Sequence, residues 1–491
     1  MVTAAPLRPE SGHDEQTGPR GPLTVIGARL PGRGDHPAWI RLLAIVAIVA
    51  AFGAAVTIAL GAGSIRGGID SLGHHTAPGV AATEDMASAL ADMDSQIGNL
   101  LLAGDDPALA VTRATALRTY EQCRVQAGDD LRLATTVAGG DSATQATLSS
   151  IFDHFGQYEA LAANIQLLDA SEHNPAGHPS PDILNEYRQA TDLMATTLGT
   201  IQDLTHANNN VLQSAYTATR HDSVVTDAWL GVFAVVLFAA LIGLQVMLRL
   251  TMRRLLNPAL LVATVLALVL VIGGAIATTQ AGTQLRIAKQ DAFDSLLIVE
   301  QARAIGFDAN ADESRYLVDP TRAQQYEPAF FTKSQVLAQV DASTFAQYYP
   351  ALTTAMGTFI DGNGLTIGGL FGDELHNIDF LGEDISARAT LAAYHTYQQD
   401  DTIFRAQAET NLQQAISFYT STDYGSSDGD FAAYNIQLNS VTDVNQHAFD
   451  AAIPAGINDL GGWTDWIPYA LFALITIAAF LGIRPRLAEY R

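Results

Sequence analysis

Read for its alternation of apolar and polar positions, the chain divides into four uninterrupted apolar runs and two long segments of helical periodicity. The runs at about 42–63, 229–248, 258–278 and 466–483 contain no charged residue, and each is long enough to cross roughly 30 Å of hydrocarbon as a helix. Between them the period changes. Met86, Leu90, Met93, Ile97 and Leu100 alternate spacings of four and three, as do Leu148, Ile151, Phe155, Tyr158, Ala162 and Ile165, and again Tyr187, Thr191, Met194, Leu198 and Ile201; such seams predict helices packed on other helices. Turn residues at Gly104 to Pro107, Gly139-Gly140 and Asn174 to Pro181 separate them, giving helices over 65–103, 107–138, 141–169 and 181–227.

The second segment can be drawn in the same order: 281–317, a stretch 320–360 broken near Pro328 and Pro350, 387–422 and 431–460. LLLAGDDPALA (100–110) and SRYLVDPTRA (314–323) share a helix end followed by an acidic, proline-bearing turn, which suggests a span–bundle–span unit used twice. The expected fold is an all-α membrane protein, four transmembrane helices carrying two extracytoplasmic four-helix-bundle, sensor-like domains. Its parts are a basic tail (1–38), a first span (39–63), a first bundle (64–227) and a second span (228–249). A short loop (250–257), a third span (258–280), a second bundle (281–465, with an insertion at 361–387), a fourth span (466–483) and a tail (484–491) complete it.

Charge orients the chain. Arginines cluster before the first span, between the second and third (Arg249, Arg253, Arg254) and after the fourth; because short cytoplasmic segments hold the positive excess, both termini are expected inside the cell membrane. All four tryptophans, Trp39, Trp229, Trp463 and Trp466, lie at span ends, where an amphipathic ring favours the headgroup zone. The first apolar run comes too late, and is too long, for a cleavable signal peptide. The two bundle segments carry 21 acidic against 7 basic and 25 against 8 basic residues, so phosphate is repelled and no nucleic-acid partner is expected. Cys123 is the only cysteine, which rules out an intramolecular disulfide and suits a packed core position.

Candidate chemistry is sparse. No nucleophile elbow, Walker A loop, zinc ribbon or kinase signature is present, so the chain is expected to be no enzyme and to need no cofactor or metal. The spans contain no ionisable side chain, contrary to what an ion or proton pathway requires. Gln245 reads as an interhelical hydrogen bonder and Ala47, Ala51, Ala55 and Ala59 as a close-packing stripe. The insertion contains GLFGDELHNIDFLGE (369–383), too apolar for a free loop and expected to pack on the bundle base, the neighbouring bundle or the lipid; Phe371, Asp373, Glu374, Asn377 and Phe380 are its candidate partner or coupling residues, beside the arginines Arg249, Arg253 and Arg254. Asn257 and Pro258 read as cap and first position of the third span.

With four spans, two helical sensor-like domains and GLFGDELHNIDFLGE, the chain resembles the actinobacterial GlnX membrane proteins, whose genes accompany the solute-binding lipoprotein GlnH and the soluble serine/threonine kinase PknG. That resemblance implies an amino-acid-sensing relay from a lipoprotein outside to a cytoplasmic kinase, with the bilayer as surroundings and a homo-oligomer admitted. The alternatives are a direct small-molecule receptor of the chemoreceptor bundle type and an envelope scaffold.

Overall fold

The computed structural model describes residues 36–252 and 257–488, with side chains for 37–250 and 257–484. Among these residues every regular element is helical, and one isolated antiparallel bridge joins Gln339 to Gly368. Helix α1 (His36–Ser71) passes through a π-turn at Leu72–Thr76 into α2 (Ala77–Ala103) without stopping. Gly104 ends it with a positive φ of 53°, a conformation that a side chain disfavours. A 3₁₀ turn, Pro107–Leu109, follows, with the Asp106 carboxylate accepting from Ala108 N at 2.9 Å. Then come α3 (Ala110–Ala138), α4 (Ser142–Glu172), capped by Asp141, and α5 (Pro181–Met252).

The second unit repeats this order: α6 (Pro258–Arg286), a π-turn at Ile287–Phe293, α7 (Asp294–Val318), a 3₁₀ turn at Pro320–Arg322, and α8 (Ala323–Leu337). The same interval in the chain separates Pro107 from Pro320 and Ala110 from Ala323. The likeness of the two turns is therefore structural. Beyond them lie α9 (Phe345–Ile360), α10 (Gly369–His376), α11 (Glu383–Ala408), α12 (Leu412–Tyr419), α13 (Ser427–Asp459) and α14 (Ile467–Ala488).

One expected break is misplaced. Pro328 and Pro350 lie inside α8 and α9, and the chain turns instead between Leu337 and Phe345. Gln335 makes that turn, accepting from Val340 N and donating to the Val340 and Ala342 carbonyls. Each proline sits in the second turn of its helix, where its missing N–H removes a single backbone bond. The helix expected over 387–422 is also two, α11 and α12, with Asn411 capping the second through Gln414 N.

The units are not independent bundles. Helix α2 has 22 of its 27 residues buried and so keeps no solvent face; it packs on α3 and α5 on one side and on α7 of the second unit on the other. The first core accordingly contains Leu317, Phe404, Ile416 and Tyr419 from the second unit. Gly98 permits the crossing: a Cβ there would lie 2.7 Å from the Ser314 Cβ.

Among the described residues four helices are long and apolar enough to cross a membrane. Ala47, Ala51 and Ala55 are buried in the core that the spans share, and Ala59 is buried as well, which makes the stripe a packing surface. Gln245 donates to Thr264 Oγ1 at 3.1 Å across the second and third spans. Asn257 caps α6 through Ala259 N and also donates to the Gly482 carbonyl of the fourth.

Candidate functional site

The polar chemistry of the helical head lies where the two units meet. Arg315 of α7 is buried, and its Nε and Nη2 donate to Asp94 Oδ2 of α2 at 2.9 and 2.5 Å. It also reaches Asp308 Oδ1 at 3.3 Å and Asp312. Lys333 of α8 bridges the same two carboxylates at 2.6 Å each, and the Tyr158 hydroxyl of α4 donates to Asp94 Oδ1 at 3.0 Å. Facing cations hold Asp308 below the usual carboxylate range in spite of its burial. Burying such charges is costly unless the network is closed, so α2 and α7 are held in one register.

Above this network opens a cleft of about 560 Å³ between α5 and α8, floored by α2 and α7. Leu198, Ile201, Ile305, Val336 and Leu370 give it apolar walls, and its polar ones include Glu84, Asp192, His206, Asp308, Asp312, Arg315, Tyr326 and Lys333. Burial pushes Glu84 up to about 7, helped by the nearby Glu300. At the rim Arg322 pairs with Asp192 of α5 at 2.9 Å, and Arg188 of α5 forks onto the buried Asp319 at 2.6 and 2.7 Å. A second cleft of about 350 Å³ lies between α3 and α13, lined by Asp92, Gln96, Asn99, Asn310 and Asp428. The first and second units exchange roles between the two, α5 with α8 in one and α13 with α3 in the other.

A further polar cluster consolidates the second unit. Glu313 accepts from the Tyr397 hydroxyl at 2.6 Å and is pushed well above the carboxylate range by burial and then by Asp401. Asp401 accepts from Arg405 Nε at 2.7 Å, and that guanidinium stacks among the rings of Tyr316, Phe330, Phe345 and Phe404 at 4.4 to 5.4 Å. This is a structural cation–π core.

The residues singled out from sequence lie elsewhere. Phe371 is buried in its own bundle, edge-on to Tyr394 at 5.0 Å and to Tyr434 at 6.0 Å. Asp373 is exposed. Glu374 is buried and pushed up to about 8, by desolvation first and Glu383 second. Asn377 donates to Ser295 Oγ at 2.9 Å and to the Gln290 and Asp291 carbonyls at the second π-turn, so the insertion clasps the point where span becomes bundle. Phe380 packs with the cluster of Phe293 and Phe449 just beyond the spans. Arg249 is exposed at the end of α5, and Arg253 and Arg254 lie outside the described residues. Cys123 is buried and donates to Asp92 Oδ2 at 3.2 Å; burial raises its thiol far above the usual range, so the thiolate is suppressed. The seam network escaped sequence reading, although one signal was present: DANADESR (308–315) places four charged residues within eight positions of one helix, on more than one face.

Residues 68–217, which make up the first unit of the head, match a family model described as an actinobacterial sensor domain. Curated proteins and solved structures gave no match. The chain is a helical membrane protein with a sensor domain, and the second unit follows the same element order beyond the matched residues.

Proposed function

We propose that the protein is a non-enzymatic transmembrane sensor that converts the relative position of its two head units into a displacement of span ends. The observation that carries this reading is α5, one helix from Pro181 to Met252. Residues Thr191 to His206 of its first half form a wall of the cleft, its last third is the second span, and its end presents Arg249. At 1.5 Å per residue it is a rod of about 108 Å, and a straight helix transmits piston or rotational motion without loss to a hinge. Binding drives such motion only if two states differ in affinity for what is bound.

In this proposal the head lies outside the cell membrane and both tails inside, as the arginine distribution favours. The finer reading is a relay in which a solute-binding lipoprotein that carries an amino acid docks on the head and a cytoplasmic serine/threonine kinase reads the arginine strip or tails. The head's acidic surface and the lack of an enzymatic motif in the sequence support an output handed to another protein. The clefts between the units support a second reading, direct binding of a small molecule.

The shared premise is tested by joining the cleft walls. Cysteines at Asp192 and Arg322, in a Cys123→Ser background, can be bridged by a bifunctional thiol reagent, and fluorotryptophan resonances of Trp229, Trp463 and Trp466 report on the span ends. Bridging should shift those resonances; spectra unchanged by it would refute the coupling. Val224→Pro, which breaks the rod below the cleft, should abolish the shift seen at Trp229.

A further inference from the structure

The smaller cleft, between α3 and α13, holds polar groups that the fold leaves unused. Thr112, Thr115 and Thr119 of α3 line it at spacings of three and four, so they share one helix face over about 10 Å. None of these hydroxyls makes a hydrogen bond among the described residues, whereas Thr135 and Thr136 of the same helix donate to the Leu131 and Arg132 carbonyls. In the α2 wall Asn99 is 4% exposed and its Oδ1 has no partner; in the α13 wall the Asn435 Oδ1 has none either. The nitrogens fix how both amides point, since Asn99 Nδ2 donates to Asp428 Oδ2 at 3.3 Å and Asn435 Nδ2 to the Phe431 carbonyl at 3.1 Å. Each amide oxygen is therefore an acceptor without a donor, a costly state for a buried group.

Charge narrows the ligand. No lysine, arginine or histidine lines this cleft, so an anion, or the carboxylate of a zwitterion, would meet two carboxylates and no cation. Nor do those carboxylates require a cation. Asp92 accepts from Gln96 at 2.7 Å and from Cys123 at 3.2 Å, and Asp428 is held by Asn99 and Asn310. What stays open is neutral: hydroxyls that donate or accept, and amide oxygens that accept. Alcohol groups of a ligand can satisfy both. Phe307, edge-on to Phe431 at 5.2 Å, gives the cleft an apolar side suited to the C–H face of a ring. Its volume of about 350 Å³ lies at the small end of ligand sites.

We infer that the cleft between α3 and α13 binds an uncharged polyhydroxy compound, a sugar of one or two rings, with its hydroxyls on Thr112, Thr115, Thr119 and the oxygens of Asn99 and Asn435. The inference rests on the direct-binding reading of the sensor and names its ligand class.

The test uses the full chain in phosphatidylcholine nanodiscs at pH 7, with empty nanodiscs as the blank. Saturation-transfer difference NMR, which detects weak binding, compares glucose, galactose, mannose and maltose with the 2-amino and 6-carboxylate analogues of the three single-ring sugars. At least one neutral sugar should bind saturably, and its charged analogues at least tenfold more weakly. Changing Thr112, Thr115 and Thr119 together to valine, which keeps their shape and removes the hydroxyls, should weaken binding at least tenfold. Ala116→Trp, which fills the cleft, should abolish it, and Thr136→Val, on the same helix beyond the cleft, should leave it unchanged. Should Ala116→Trp fail to fold, the triple valine variant decides. Binding of none of the neutral sugars, equal binding of the charged analogues, or binding untouched by the triple valine change would each overturn the assignment. Tethering that moves the tryptophan resonances in a protein that binds no sugar removes this site and leaves the sensor; sugar binding with immobile span ends does the reverse.

Discussion

Arg315→Met tests whether the seam between the units is held by charge. Arg315 is 4% exposed and Asp94 is fully buried, so methionine would replace a guanidinium that makes hydrogen bonds to three carboxylates with a side chain that makes none. Only Lys333 would then face Asp94, Asp308 and Asp312, and it contacts the last two alone. Removing one partner of a buried ion pair typically costs about 3–5 kcal/mol. Read as hydrogen exchange of the α2 and α7 amides in nanodiscs, that loss is a fall in protection on the order of 150- to 4,000-fold, since about 1.4 kcal/mol is a factor of ten. Asp94→Asn in the same chain removes the stranded charge, so the double variant should recover about 0.5–3 kcal/mol relative to the sum of the single changes. The single variant should also lose less at pH 5 than at pH 8, because a carboxyl relieved of its cation can take a proton. A loss below about 1 kcal/mol, or strict additivity of the two changes, would show that apolar packing alone sets the register.

Gly98→Val should separate α2 from α7 by crowding Ser314 and the Tyr187 hydroxyl, with a loss of about 1–3 kcal/mol and faster exchange confined to that crossing; unchanged exchange would mean the helices slide freely. Phe371→Ala should cost about 3–5 kcal/mol by opening a hole beside Tyr394 and Tyr434, measured as a lower unfolding temperature of the head. Stability should also depend on pH with a definite sign. Glu84, Glu300 and Asp428 are pushed up to about 7 and Glu374 to about 8, each chiefly by burial, so the folded state keeps protons that the unfolded chain releases above about pH 4.5. Their contribution is complete below that pH and is lost as pH rises through 7 to 8; Asp319, lowered by Arg188 in spite of its burial, acts oppositely at acid pH. The unfolding temperature should therefore be highest near pH 5 and fall toward pH 8.5, and Glu374→Gln should flatten the fall; a rise over that range would refute the assignment. A reporter fused after Arg254 should be cytoplasmic and a tag near Gly140 accessible from outside, and the reverse pattern would invert the proposed orientation.

Span number, helix ends and the repeated order were legible because each rests on local physics. Absence of charge marks the spans, Gly104 and Gly139 supply left-handed ends, and Asp106, Asp141 and Asn257 supply caps. The break between α8 and α9 was not legible, because Gln335 makes it by reaching forward five and seven residues while the nearby prolines are tolerated. The site was legible least of all. Asp94 and Arg315 meet across 221 positions of sequence, and a charged residue on an amphipathic helix reads as solvated until a second helix is known to cover it. The insertion, by contrast, was recognised as too apolar for a loop, yet Phe371 and Asn377 serve the fold of its own unit rather than the cleft.

Fusing both units into one polypeptide has a genetic consequence. A receptor made of two identical chains has twin pockets, and each codon change alters both at once. Here Asp312 of the larger cleft and Asn99 of the smaller, which the interval between the two 3₁₀ turns makes equivalent, are separate codons, so selection can alter one pocket while its counterpart stays as it was. Occupancy of one side then breaks a balance that a symmetrical pair would share between equivalent states, and the two π-turns, LGHHT and IAKQDAF, differ in composition just where that imbalance would enter the membrane.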